Sequence, residues 1–157
     1  MVVANAPENL MAIESGRILG IDFGSKRIGL AMSDPFQLVA STLKTLVSKN
    51  MSEVAQNILE ITRQYQIKAV VIGQPLHMSG DKGDMADKVH QFAQILDKVI
   101  SIPIFYWDER WTTKSAEKLL IETGKSPSKN RKKIDQLAAA FMLQGFLDRI
   151  SYLKRPV

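Results

Sequence analysis

No cysteine occurs in the 157-residue chain. Disulfides, thiolate zinc sites and cysteine nucleophiles are therefore excluded. Long apolar runs are missing as well; none approaches the roughly 18 residues that a membrane-crossing helix needs. The first sixteen residues, MVVANAPENLMAIESG, hold no lysine or arginine but do hold Glu8 and Glu14, so they lack the charged start and apolar centre of a secretory signal. These absences lead to the expectation of a cytosolic protein with no membrane contact. Histidine is scarce: His77 and His90 are the two present, His90 reads as a helix-surface residue, and neither has the setting of a catalytic base. Ser25 has no His–Asp company and reads as a turn residue. No Walker A phosphate loop and no internal repeat is found.

What is there fits one domain of ordinary soluble composition, 45% hydrophobic and 24% charged. The net charge of +5 is unevenly spread. Residues 17–109 hold ten basic and ten acidic side chains, whereas residues 110–157 hold eleven basic against four acidic. A basic last third suits a polyanionic partner, although a merely solvated basic face has the same composition.

Residues 1–16 show no period and read as a flexible leader, 17–150 as one domain, and 151–157 as a short tail. Ile18–Ile21 and Ile28–Met32 are β-prone runs around a Gly-Ser-Lys-Arg turn, which predicts a hairpin. Phe36–Val47 predicts a third antiparallel strand. Asn50 or Ser52 caps a helix whose apolar stripe is Val54, Ile58, Ile61 and Tyr65. Lys68–Gly73 and Ile102–Trp107 are short apolar runs typical of strands buried on both faces. They flank a helix over Met85–Ile100 and a polar loop over Gln74–Asp84. A third helix is expected from Thr112 or Thr113 through Glu122, and a last one from about Asn130 to Ile150 with a stripe of Ile134, Leu137, Ala138, Phe141 and Gly145. An antiparallel meander followed by parallel crossovers predicts an α/β fold: a five-stranded mixed sheet, three antiparallel strands plus two parallel, with helices on both faces.

Three acids stand out against this frame. Asp22 ends the first strand, Glu109 follows the last one, and Asp135 lies at the margin of the final helix's apolar face. Each alone could serve an ordinary salt bridge. Converging without partners, they would repel one another, and a divalent cation removes that cost. Hard oxygen ligands select Mg²⁺ or Mn²⁺, and such ions act on phosphodiesters. Lys26 and Arg27 lie in the turn beside Asp22, Arg110 follows Glu109, and Lys125, Lys129, Arg131, Lys132 and Lys133 cluster at the start of the last helix. Positive side chains there oppose the helix dipole, so phosphate binding explains the cluster better than helix stability does.

Four segments in order, GIDFGSKRIGLAMSD, VVIGQPLHMSGDKG, DERWTT and KIDQLAAAFMLQGFLD, resemble the YqgF (RuvX-like) family of the RNase H-like superfamily. The resemblance covers residues 17 to about 150. It implies an RNase H-like fold and a metal-dependent nuclease with an acidic triad on Asp22, Glu109 and Asp135. The family is described both as a Holliday junction resolvase and as a pre-16S rRNA processing nuclease, so precursor rRNA, ribosomal particles or branched DNA are the implied partners of a monomer or homodimer. A fourth acid that the superfamily often carries one turn along the last helix is replaced here by Ala138 and Ala139. Two other readings remain open. Ile21–Ser25 also resembles the first phosphate loop of the actin and sugar-kinase group, but that group closes two such domains on its nucleotide. A non-catalytic RNA- or ribosome-binding module would keep the acids for folding alone.

Overall fold

The hairpin predicted around Gly24 forms, and it sets the register of everything else. The computed structural model describes residues 1–24, 26–47, 50–74, 83–108 and 131–156, with side chains of the last segment from Lys133 onward. Strands β1 (Ile18–Phe23), β2 (Arg27–Ser33) and β3 (Ala40–Val47) form an antiparallel meander. Strand β4 (Ala69–Gln74) pairs parallel with β1, and β5 (Ile104–Asp108) parallel with β4, giving the order β3-β2-β1-β4-β5. This is the expected five-stranded mixed sheet.

Period-two alternation divides the strands between two cores. Leu19, Ile21, Phe23, Leu30, Val70 and Ile72 face α2 (Met51–Gln64) and α3 (Asp84–Val99). Ile18, Ala31, Ala69, Val71 and Phe105 face the final helix, α4 (Arg131–Leu153). Helix α2 starts where expected because the Asn50 side chain accepts from the Ser52 and Glu53 amides at 2.9 and 3.3 Å, meeting two donors that the first turn cannot satisfy internally.

Four expectations are corrected. The first sixteen residues are not loose: they carry α1 (Pro7–Met11), and Leu10 and Ile13 are buried in the α4-side core while the Val3 amide donates to the Ile104 carbonyl. Two apolar residues three apart gave too short a period to be seen in sequence. Helix α4 runs on to Leu153, so the expected tail begins inside it. Ile134 and Ala138 of the expected stripe are buried, but Leu137 is half-buried and Phe141 39% exposed; Ala139, Met142, Leu143, Phe146 and Leu147 complete the inward face. The third strand starts at Ala40 instead of Phe36, because Asp34 bends residues 35–39 into a turn. Its carboxylate accepts from the amides of Phe36, Leu38 and Val39 at 2.7–2.9 Å. Gln37, at φ +60°, is buried and donates to the Glu14 and Gly16 carbonyls. The expected helix between Thr112 and Glu122 and most of the Gln74–Asp84 loop lie outside the described residues.

The turn carries a pH signature. The Val39 amide, opposed by some desolvation and aided by the Leu38 and Phe36 amides, holds the Asp34 carboxyl below its usual 3.8. A carboxyl depressed in the folded state adds stability above its unfolded value, and loses it as pH falls through the folded value. Asp34→Asn is expected to flatten the acid limb of stability below pH 3.8, as read from urea midpoints across that range. An unchanged acid limb would show that the turn does not couple to folding.

Candidate active site

Two glycines set Asp22 and Asp135 on one face of the sheet. The Gly24 amide donates to the Arg27 carbonyl at 2.9 Å and closes the hairpin. A side chain at Gly24 is excluded, since its Cβ would lie 2.5 Å from that carbonyl oxygen. The closed register sets Asp22 opposite Gly29, their Cα atoms about 4.5–5.5 Å apart as in any antiparallel pair. Opposed residues share a face, and that face is the α4 side, since a Cβ on Gly29 would fall 2.1 Å from the Asp135 carbonyl oxygen and 3.1 Å from its Cβ. Gly29 is thus the notch into which the first turns of α4 settle. Gly20, two residues before Asp22, repeats the device against Leu143 and Ala139. The Asp22 and Asp135 side chains, both partly exposed, therefore occupy neighbouring positions on one face at the end of β1.

Arg27 belongs to the same face by alternation. Its Nε donates to Asp135 Oδ2 at 2.8 Å, with the two side chains 28% and 24% exposed. This charge-assisted bond fixes one carboxylate oxygen of Asp135. Lys26 is exposed in the turn, and Lys133 is exposed near the start of α4. Arg131 and Lys132 belong to its first turn. Glu109, Arg110, Lys125 and Lys129 lie outside the described residues. Among the described residues no group of three His, Asp or Glu side chains is placed to hold a metal. The two described acids nonetheless fit a hard divalent cation: both supply carboxylate oxygens from a common face, at a partly solvated strand end.

Asp108 is set apart from them. It pairs in register with Gln74 and, three alternations on from Phe105, shares the α3 face with Tyr106 and Gln74. There Gln74 Nε2 lies 3.0 Å from His90 Nε2, and the His90 ring sits 4.8 Å from that of Tyr106. Burial, and then the charge of Asp97, push the Tyr106 hydroxyl up from its usual 10. His90 therefore packs on the sheet end; it is not the free surface residue expected. Trp107 meets Phe146 edge-on at 5.7 Å, packing on the α4 side of the sheet.

Sequence reasoning missed the Arg27–Asp135 bond and the role of Gly29. The second was available: folding the hairpin about its turn pairs position 22 with position 29. The first was not, because 108 residues separate the partners.

A mixed sheet with this strand order, packed against a long final helix, defines an RNase H-like fold. T. thermophilus RuvC, solved with a Holliday junction substrate, has the same fold (TM-score 0.55, 19% identity, covering 86% of this chain and 96% of that one). So does the Fowlpox virus resolvase solved with Holliday junction DNA (TM-score 0.52, 14% identity, 88% and 99%). The chain belongs to the RuvX family, whose model, described as "Holliday junction resolvase", matches residues 16–149. Among its relatives, a Roseiflexus sp. (strain RS-1) protein named "Putative pre-16S rRNA nuclease" is 44% identical over 88% of this chain and 98% of its own. A Syntrophus aciditrophicus (strain SB) protein of the same name is 42% identical over 89% and 93%.

Proposed function

We propose that this chain is a Mg²⁺- or Mn²⁺-dependent phosphodiesterase that trims the precursor of 16S rRNA in the cytoplasm. What supports the reading is the packing of Asp135 against Gly29, the residue that Asp22 faces in the β1–β2 register. RNA is preferred over branched DNA because the relatives at 42–44% identity carry the rRNA name, whereas the junction-bound structures, at 14–19%, support the fold alone.

Asp22, Asp135 and Glu109 are the proposed ligands. Glu109 directly follows Asp108, the last residue of β5. A bound divalent ion supplies Lewis-acid polarisation of the phosphodiester and activates water for attack. Arg27 orients Asp135 through Oδ2 and places positive charge at the edge of the site. Lys26, Arg110, Lys129, Arg131, Lys132 and Lys133 serve as backbone contacts, which give affinity without sequence preference. Monomer and homodimer, and attachment to ribosomal particles, are both compatible with this arrangement.

The test is direct. Purified protein with Mg²⁺ or Mn²⁺ is incubated with a 16S precursor terminus and, separately, with a synthetic four-way junction. Cleavage of the precursor, abolished by EDTA and restored by Mn²⁺, is the expected result. Cutting confined to the junction would transfer the reading to DNA, and no cutting of either would leave a binding module.

A further inference from the structure

The 34–39 turn spends three polar side chains on rigidity and then points its apolar ones outward. Asp34 ties three amides, Gln37 anchors to two carbonyls, and Gln144 of α4 accepts from the Ala40 amide while donating to the Leu38 carbonyl, each at 2.9 Å. Yet Phe36 is 81% exposed, and Leu38 and Val39 are 59% exposed. An isolated exposed leucine needs no explanation, whereas a braced ledge of three apolar residues marks an interaction site.

Its surroundings identify the partner. Gln144, Asp148 and Tyr152 follow one another at helical spacing of four, so Tyr152 lies on the same side of α4 as the residue that grips the turn. Tyr152 is 61% exposed, and the Arg149 and Arg155 guanidinium carbons stand 6.0 and 5.7 Å from its ring centre. Lys154 lines a groove of about 370 Å³ together with Phe36 and Pro35. The acids close by face other partners: Asp34 the amides of its own turn, Asp148 the Gln144 amide at 3.0 Å, and Glu14 the Lys68 ammonium at 3.9 Å. Exposed aromatic rings among arginines and lysines match unpaired bases on a phosphate backbone.

We propose that the Phe36–Tyr152 ledge is a second nucleic-acid contact, which holds a single-stranded flank of the RNA substrate by stacking. It rests on the reading of the chain as an RNA nuclease. The ledge lies at the far end of the sheet from the carboxylates, since β2 runs from Arg27 beside Asp135 down to Ser33 before the turn begins. Asp135 and Tyr152 are 17 residues apart on one helix, about 25 Å at 1.5 Å per residue. A stacked strand covers that in about seven nucleotides at 3.4 Å each. Flanks longer than this engage both ends, and shorter ones do not.

Fluorescence anisotropy in EDTA, with 5′-labelled single-stranded RNAs of 6 and 20 nucleotides, separates binding from cleavage. The unaltered protein is expected to bind the 20-mer much more tightly than the 6-mer. Phe36→Ala combined with Tyr152→Ala removes most of that advantage, weakening 20-mer binding about tenfold, the scale of losing one or two stacked bases. Both side chains are solvent-facing, so the melting temperature stays within about 2 °C. In cleavage the same variant raises KM for long-flanked precursor and leaves saturated turnover unchanged. A 20-mer affinity within twofold of the parent overturns the proposal. So does a variant that keeps RNA affinity but converts a dimer to monomer, which would assign the ledge to a second copy. If no precursor is cut by any preparation, the nuclease reading fails while the binding comparison still decides the ledge.

Discussion

Asp22→Asn is expected to fold as the parent does and to cleave precursor RNA at least a hundredfold more slowly. The amide is nearly isosteric with the carboxylate, and the strand around it is fixed by its neighbours: Ile21 and Phe23 are buried on the opposite face, and the register to Gly29 is set by the closed hairpin. Folding therefore loses little. On the proposed reading chemistry loses a charged oxygen ligand, and removing even one neutral stabilising donor from such a site typically costs about 10²–10³ in rate. Asp135→Asn should be comparably inactive but slightly less stable, since it also removes the partner of Arg27. A bond between groups 28% and 24% exposed is worth about 0–1 kcal/mol after solvent screening. Because the acids act as a unit, the double variant should be scarcely slower than either single one. Single-turnover rates in Mn²⁺ and far-UV melting curves make the comparison. Turnover near the parental rate in Asp22→Asn would remove the acid pair from catalysis.

Gly29→Ala tests the notch. The new Cβ would stand 2.1 Å from the Asp135 carbonyl oxygen, a backbone atom inside a helix, so no rotamer change relieves the clash. Helix α4 must lift by about 1 Å, and overpacking of this kind costs about 1–3 kcal/mol, or roughly 3–10 °C in melting temperature for a domain of this size. The lift falls at the residue that must stay in place. A misplacement of about 1 Å at a reacting centre can cost about a hundredfold in rate, so activity should fall even where the protein remains folded. Gly20→Ala is the control: its Cβ would meet Leu143 Cβ at 3.0 Å and the Ala139 carbonyl oxygen at 3.4 Å, a milder conflict one helical turn away from Asp135. It should be less destabilising and retain most activity. Equal losses in both variants would mean that the helix moves as one body and the notch has no special bearing on the site.

Much of this arrangement was legible from residue order. The two apolar strands around Gly-Ser-Lys-Arg gave the hairpin because turn chemistry is local, and the buried parallel strands announced themselves as unbroken apolar runs. Asp22 and Asp135 could be picked out because an acid beside buried residues contradicts its surroundings. The α4 stripe was misread in part: Ile134 and Ala138 face inward as expected, but where the helix approaches Gly20 and Gly29 the small Ala139 is buried while Leu137 is only half-buried and Phe141 turns outward. The start of β3 was hidden because Asp34 acts through its side chain on amides up to five residues away. The packing of residues 1–13 depends on the edge of β5, more than ninety positions later, which no local pattern reveals.

The candidate site is assembled from opposite ends of the chain. Asp22, Gly29 and Arg27 emerge early in synthesis, and the helix that brings Asp135 emerges 108 residues after Arg27. Until that helix settles on Gly20 and Gly29, β1 and β2 present only half of the acid pair. Completion of the fold and arming of the site are therefore one event in time. A ribosome making this chain holds a polypeptide without a finished carboxylate centre until its last helix has cleared the exit tunnel and docked.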